Sequence, residues 1–439
     1  MRAKTFRKGG IHPPEDKLTA GLPVREIPLA EELILPLSQS IGAAPKAVVK
    51  AGDAVCRGQV LAEAQGFVSV PLHSPVCGTV KKIEASRNPQ GIWQESVIIT
   101  PQQEEPLKDE FTPRSEEEVE ILSPAEIIKI VAEAGIVGLG GAAFPTHVKL
   151  SVPDGKSVDT VLLNGAECEP YLTCDDILMQ TQARQILMGA RLIMKAVGAQ
   201  RILVGIEVNK PEAIKTMTEA AGDSEEIKVV ALKKKYPQGS EKQLIYALTE
   251  RVVPAGALPV DTHCVVDNVA TAYAIYEAVW HRKPLIERLV TVTGKSLTGR
   301  GNFKVVNGTP LSWLLQQAGG LPENTGKVLA GGPMMGRAVS FTDAGATKGL
   351  SGVVVLPQEE SYRKPMEACI RCSACINACP MGLEPYLLMQ QALVAYWPEM
   401  KAHGVMNCIE CGCCSYSCPA SRPLLDMIRL GKNELRKKK

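Results

Sequence analysis

The chain has 439 residues, enough for two to four domains with cores of their own, and its 49 basic and 47 acidic side chains leave a net charge of +2. That balance gives no electrostatic footprint for nucleic acid, and no apolar run approaches the roughly 18–20 residues that span a bilayer. Fourteen cysteines in a long chain whose opening, MRAKTFRKGGIHPPEDK, lacks the apolar stretch of a secretory signal point to free thiols and metal thiolates in a reducing cytoplasm, not to a disulfide scaffold.

In chain order, the first unit is expected over 1–105. AVVKAGDAVCRGQVLAEA and VSVPLHSPVCGTVKKIEA read as short strands around Gly-containing turns. They resemble the barrel-sandwich fold of biotinyl and lipoyl carriers. The expected hairpin tip, GFVSVPLHS, has no lysine to modify, so the module is expected to be structure or docking surface, and His73 a hydrogen-bonded loop residue. A Glu- and Pro-rich stretch, Pro101 to Glu120, reads as an exposed linker.

The second unit is expected over 121–285. Ser123 and Pro124 form a helix start and Gly135 a stop. The runs TVLLN, RILVGIEV and IKVVAL read as strands, alternating with helices that begin near Asp176, Lys210 and Ser240, the last with a Ser240–Gln243 capping box. Such alternation implies an α/β layer with parallel strands. In GIVGLGGAAFPTHVKL, Gly138, Gly140 and Ala143 satisfy the dinucleotide string G-x-G-x-x-G/A, but the loop follows a helix and runs into Pro145. An ordinary Rossmann loop is therefore not expected. Instead, the backbone amides of Gly138 to Ala142 can form an anion nest suited to the phosphate of FMN, with Lys149 supplying charge and Phe144 a flat face. Beyond it, LLNGAECEPYLTCDD presents Asn164, Glu167, Glu169, Asp175 and Asp176 at a strand end, as donors and acceptors for ring and ribose edges.

A small β-grasp-like module is expected over 286–358, with two or three strands and a short helix from about Pro310. The last unit, 359–432, carries CIRCSACINACP and CIECGCCSYSCP, two copies of C-x-x-C-x-x-C-x-x-x-C-P. In two-cluster ferredoxins the fourth Cys of each copy ligates the other cluster. The spacing predicts two 4Fe-4S centres, one on Cys369, Cys372, Cys375 and Cys418, the other on Cys408, Cys411, Cys414 and Cys379. Cys413 falls off the pattern as a spare thiol. Zinc also favours paired cysteines, but has no use for this crossed arrangement. LEPYLLMQQALVAYW between the copies predicts a helical ferredoxin domain, and the terminal KNELRKKK a solvated tail. The whole is a multidomain α/β and α+β protein.

Taken together, KTFRKGGIHPPEDK, the pair GLGGAAFPTHVKL and NGAECEPYLTCDD, and the doubled cysteine motif resemble, in the same order and over nearly the whole chain, the C subunit of the Rnf ion-translocating electron-transport complex. That family is in turn similar to the flavin- and NADH-binding subunit of respiratory complex I. The latter resemblance implies an FMN and NAD(H) site lined by Gly138, Gly140, Gly141, Phe144 and Lys149, by Asn164, Glu167 and Glu169 from its N-A-D-E-x-E-P motif, and by Asn268 and Thr271 in DNVATAY. Leu139, Ala143, His147 and Leu150 depart from that relative's Arg, Gly, Gly and Trp, and Ala166 and Ala270 replace acids. The Rnf resemblance implies an oxidoreductase and translocase subunit. It would sit peripherally on the cytoplasmic face of the inner membrane with the other subunits of its complex, exchanging electrons with NAD(H) and, through the complex, with ferredoxin while Na⁺ or H⁺ moves. A soluble cobalamin reductase and a non-enzymatic two-cluster adapter are the alternatives.

Overall fold

A computed structural model describes residues 3–102 and 111–437. Strands Leu33–Pro36, Trp93–Pro101, Gly78–Arg87 and Ala54–Val55 form one antiparallel sheet, and Lys46–Ala47, Val60–Glu63 and Leu72–His73 a second. Alternate side chains, among them Leu33, Leu35, Leu61, Leu72, Val80, Val97 and Ile99, turn inward to make the sandwich core. His73 lies on a strand, not a loop, and is buried; a backbone hydrogen bond to Glu133 reaches it, and burial pushes its pKa down to about 3. Residues 103–110 of the expected linker lie outside the described residues. The linker's end is helical over Glu116–Glu120, where Ser115 and Glu118 complete a capping box.

The central domain contains four parallel strands in the order Ile227–Leu232, Arg201–Glu207, Thr160–Gly165, Cys264–Asn268. Their apolar runs are nearly continuous because helices cover the sheet. Three of these strands were legible as VLL-type runs; the fourth, CVVDN, is short and was not expected. Gly189 permits a close helix crossing: a Cβ there would lie 1.8 Å from the carbonyl oxygen of Ala272. Ser123 caps its helix as expected, reciprocally with Glu126. The Ser240 box does not form: Ser240 makes no side-chain cap bond, and the Gln243 amide turns away to the carbonyl of Pro380 (3.4 Å) and to Met381 Sδ (3.3 Å).

The third unit is a six-stranded mixed sheet, built on Glu287–Thr293 and Gly301–Val306, with the expected helix at Leu311–Gln317. Its edge strand is Val24–Glu26, supplied from near the start of the chain and paired in parallel with Asn302–Lys304. The C-terminal unit is helical, as the sequence predicts, with helices Ala374–Ala378, Pro385–Leu393, Trp397–Ala402, Cys413–Tyr416 and Leu424–Lys437. The expected tail is therefore part of a helix up to Lys437, and Lys438 and Lys439 lie outside the described residues. Lys432 is buried rather than solvated, donating to the carbonyl of Cys408 at 2.7 Å and pairing with Glu410 at 2.7 Å.

Candidate functional site

In an open α/β sheet, ligands bind beyond the carboxyl ends of the strands, where the strand order reverses. Here that point falls between Thr160–Gly165 and Cys264–Asn268, where Asn164 and Asn268 are direct partners in register. Asn268 caps the helix Val269–His281, its Oδ1 accepting from the Ala270 amide at 2.8 Å, while its Nδ2 donates to Asp175 Oδ2 at 2.7 Å. Asn164 Nδ2 donates to the carbonyl of Gly239 at 2.7 Å. The glycine loop arrives over the same spot: the Leu139 amide donates to Thr271 Oγ1 at 2.9 Å, and a Cβ on Gly140 would lie 3.5 Å from Asn268 Cβ.

Five nest amides were expected and three remain available. Gly138 N–H donates to Phe144 O at 2.8 Å, and the amide of Leu139 is taken by Thr271. Gly140, Gly141 and Ala142 are not buried, and among the described residues their amides have no partner. Gly141 has φ +107, and a Cβ there would meet nothing within 4 Å, so the loop offers an open backbone cradle of the kind that fits a phosphate. Phe144 is half-buried beside it. Lys149 does not point into this cradle. It donates to the carbonyl of Val266 at 2.7 Å and to Asp267 Oδ1 at 3.2 Å. Burial would lower its pKa, but Asp267 and Glu241 outweigh burial and raise it. The carrier-like hairpin meets this unit directly: His147 Nε2 and Phe67 O are 2.8 Å apart.

The acidic loop is held from within. Glu167 has φ +45; its Oε1 accepts the Asp175 amide at 2.7 Å, and its Oε2 is buried without a partner. Burial, then the charge of Glu167, pushes the Asp175 carboxyl up to about 7. Glu169 accepts from the amides of Met334 (2.9 Å) and Met335 (2.7 Å), a loop of the third unit, and burial pushes it up to about 7 as well. Asp176 follows in the first turn of the helix Cys174–Thr181. Two lysines absent from the sequence expectations, half-buried Lys17 and buried Lys210, grip the loop backbone. Lys17 Nζ donates to the carbonyls of Glu167, Glu169 and Leu172, and Lys210 Nζ to that of Ala166 at 2.8 Å. Gly239 was missed too, although a Gly-Ser pair between a strand and a helix is the pattern that places a loop at such a site.

The cysteines fall into two sets. One pocket is lined by Cys379, Cys408, Cys411 and Cys414, with Pro380, Met381, Leu425 and Ile428 as its apolar wall. The last cysteine of the first motif thus lines the same pocket as the first three of the second. Cys375 and Cys418 pack around Met389, Leu424 and Met427, a cluster that Cys414 also joins from the first pocket, and Cys369 and Cys372 are exposed. Burial pushes Cys408 up to about 11 and Cys414 up to about 12, so a metal must displace their protons. Four thiols around one apolar-walled pocket are the donor set that an iron–sulfur cube needs. Cys413 borders the same pocket and directs its thiol at the carbonyl of Tyr236, 3.9 Å away.

Comparison with known families gives four matches in chain order. Residues 4–104 match the RnfC barrel sandwich hybrid domain, 131–277 the Nuo51 FMN-binding domain, 289–338 the SLBB domain, and 362–419 the 4Fe-4S dicluster domain. The cofactors are accordingly FMN and two 4Fe-4S clusters, and NAD(H) as substrate is consistent with them. The chain is 43% identical over 429 residues to the C subunit of the Na⁺-translocating ferredoxin:NAD⁺ oxidoreductase complex of Acetobacterium woodii, covering 98% of this chain and 96% of that one. It is 41% identical to the C subunit of the proton-translocating ferredoxin:NAD⁺ oxidoreductase complex of Clostridium ljungdahlii, covering 99% and 94%. With the C subunit of the ion-translocating oxidoreductase complex of Rhodobacter capsulatus it shares 38% identity, covering 98% and 83%. The chain belongs to the family of C subunits of the Rnf-type ion-translocating ferredoxin:NAD⁺ oxidoreductase complexes.

Proposed function

We propose that this chain is the subunit through which electrons pass between NAD(H) and an ion-translocating membrane complex, in exchange with ferredoxin. One observation carries the reading: a single chain joins an open amide cradle at a sheet switch point to a four-thiol cavity through direct contacts. Tyr236 donates its hydroxyl to the carbonyl of Cys411 at 2.8 Å, and Gln243 reaches Pro380, next to Cys379. When bound, FMN exchanges two electrons with nicotinamide as hydride and the iron–sulfur cubes carry them singly.

The chain's own residues supply binding and orientation. Gly140, Gly141 and Ala142 hold the phosphate, and Phe144 offers an apolar face. Asn164, Asn268 and Thr271 fix the strand and loop ends around it, and Glu167 offers an unpartnered buried carboxylate oxygen. Lys149 neutralises the buried Asp267 beneath the site, and Glu169 ties the acidic loop to the third unit. Cys379, Cys408, Cys411 and Cys414 hold one cube; Cys369, Cys372, Cys375 and Cys418 hold the second, whose first two ligands face outward. The units at 1–105, 121–285, 286–358 and 359–432 then serve as docking module, flavin domain, brace and cluster domain.

No helix among the described residues is long and apolar enough to cross a membrane. On this reading the chain sits peripherally on the cytoplasmic face of the inner membrane, held by the other subunits. The test is oxidation of NADH by the anaerobically purified protein with a one-electron acceptor. Turnover that requires both FMN and iron supports the reading. Flavin- and iron-loaded protein that leaves NADH untouched contradicts it and favours an adapter that only carries electrons.

A further inference from the structure

The opening segment, residues 4–17, touches the edge of the parallel sheet, the cluster domain and the acidic loop. It begins as an extra rung on the parallel sheet: Lys4 bridges Leu232, donating to the carbonyl of Ala231 at 2.9 Å and accepting from the Lys233 amide at 2.7 Å. It then crosses to the cluster domain. Gly9 has φ +67, and a Cβ on it would lie 2.5 Å from both the carbonyl carbon and the oxygen of Cys379, and 2.7 Å from Pro380 N. Only glycine lets the backbone lie this close to the Cys-Pro step. Gly10, with φ +87, donates its amide to the carbonyl of Ala378 at 2.9 Å. One residue on, Ile11 and Tyr236 exchange both backbone hydrogen bonds, at 2.8 and 2.9 Å, and Tyr236 in turn holds the carbonyl of Cys411. Pro13 and Pro14 follow, a stiff extended pair, and Lys17 ends the run on the three carbonyls of the acidic loop.

Each anchor involves different groups, and each sits where displacement matters. Gly9 and Gly10 fix the backbone of a thiol that lines the four-thiol pocket. Ile11 fixes the loop that leads through Gln238 and Gly239 to Asn164. Lys17 fixes the loop bearing Glu167 and Glu169. Thr5 adds a bond to Gln238 Oε1 at 2.8 Å. A segment needed only to cover hydrophobic surface would not require two left-handed glycines against the two peptide units that flank Cys379, nor an ammonium committed to three backbone carbonyls.

We infer that residues 9–17 are a positioning strap: they set the separation between the Cys379 thiol cavity and the switch-point site, and so the rate at which single electrons pass between them. The inference rests on the relay reading proposed above and adds to it the part that governs its internal step. Neither Gly9 nor Lys17 touches the reacting atoms; both act through the groups they hold.

The test uses the full chain, purified without oxygen with both cofactor types in place, as wild type, Gly9→Ala and Tyr236→Phe. Gly9→Ala forces the strap off the Cys379 peptide, whereas Tyr236→Phe removes one hydroxyl and leaves the packing intact. Rapid mixing with NADH separates flavin bleaching from iron–sulfur bleaching. In both variants flavin bleaching should keep its wild-type rate and its dependence on NADH concentration. The iron–sulfur phase should slow severalfold in Gly9→Ala, because electron transfer weakens as its partners move apart, and less in Tyr236→Phe. Hydrogen exchange supplies a readout apart from turnover: the amides of Gly10, Ile11 and Tyr236 should lose protection in Gly9→Ala. Iron–sulfur bleaching at the wild-type rate in both variants, despite lost protection, overturns the inference. Loss of iron and sulfide from Gly9→Ala, with Tyr236→Phe transferring normally, overturns it too, since the strap would then only retain the cluster. Wild-type protein whose clusters stay oxidised after its flavin is bleached would instead overturn the relay reading beneath it, a pattern distinct from either.

Discussion

Asn268 hands its side-chain amide to Asp175 across the end of the sheet, Nδ2 to Oδ2 at 2.7 Å, while its oxygen caps the next helix. One side chain therefore joins the switch point to the acidic loop. Asn268→Ala loses the cap, worth about 1 kcal/mol, and leaves a buried carboxyl short of a donor, about 1–3 kcal/mol more. Thermal denaturation should show that loss, and FMN content should fall severalfold while iron stays at about eight per chain. Asn268→Asp keeps the cap but sets two carboxyls together, so it should lose flavin with a smaller drop in helix stability.

The open space above Gly141 makes a second variant informative. Because a Cβ there meets no neighbour, Gly141→Ala introduces only backbone strain, about 1–2 kcal/mol. If the amides of Gly140 to Ala142 cradle a phosphate, the new methyl group and the altered backbone weaken FMN retention well beyond that strain. Titrating FMN into flavin-stripped protein reads this directly. Unchanged affinity would remove the cradle from the site.

Acid should stabilise the loop region. Asp175 and Glu169 both titrate near 7 in the folded protein, above their ordinary values of 3.8 and 4.5. A carboxyl raised on folding contributes stability that is full below its unfolded pKa and is lost as pH rises through the folded one. The thermal midpoint should therefore decline from about pH 4 to about pH 7 and level off above that. Glu169→Gln should flatten that decline, as measured by denaturation scans across the range.

Crossed ligation predicts an unequal response to two alanine variants. Cys379→Ala opens the cavity it shares with Cys408, Cys411 and Cys414 and should erase that cluster's paramagnetic signal. Cys418→Ala should erase the other. Cys379→Ala protein that loses only the cluster of Cys369, Cys372 and Cys375 would refute the crossing.

Local patterns were the legible part. The strands TVLLN, RILVGIEV and IKVVAL and the Ser123 cap each depend on residues close in sequence, and each stands where expected. What was not legible depends on distant partners. Gln243 had the spacing of a capping box, but packing beside Pro380 claimed its amide. Lys149 was expected at a phosphate, yet a buried Asp267 more than a hundred residues away holds it. Lys432 lay in a basic tail by composition and is drawn inward by Cys408 O and Glu410. Val24–Glu26 completes a sheet whose other strands begin at Glu287, a pairing no local pattern encodes. For the site, the sequence offered the glycine loop and the acidic loop as separate stretches; the strand Cys264–Asn268 that brings them together was hidden by its shortness.

The most direct measurement is an anaerobic titration of the purified chain with NADH, followed at the flavin and iron–sulfur absorption bands. The account predicts that NADH bleaches the flavin and that iron–sulfur bleaching follows, in protein carrying one FMN and about eight irons with as many sulfides. Protein holding both cofactor types whose spectrum NADH leaves unchanged, while dithionite reduces its clusters, would contradict it.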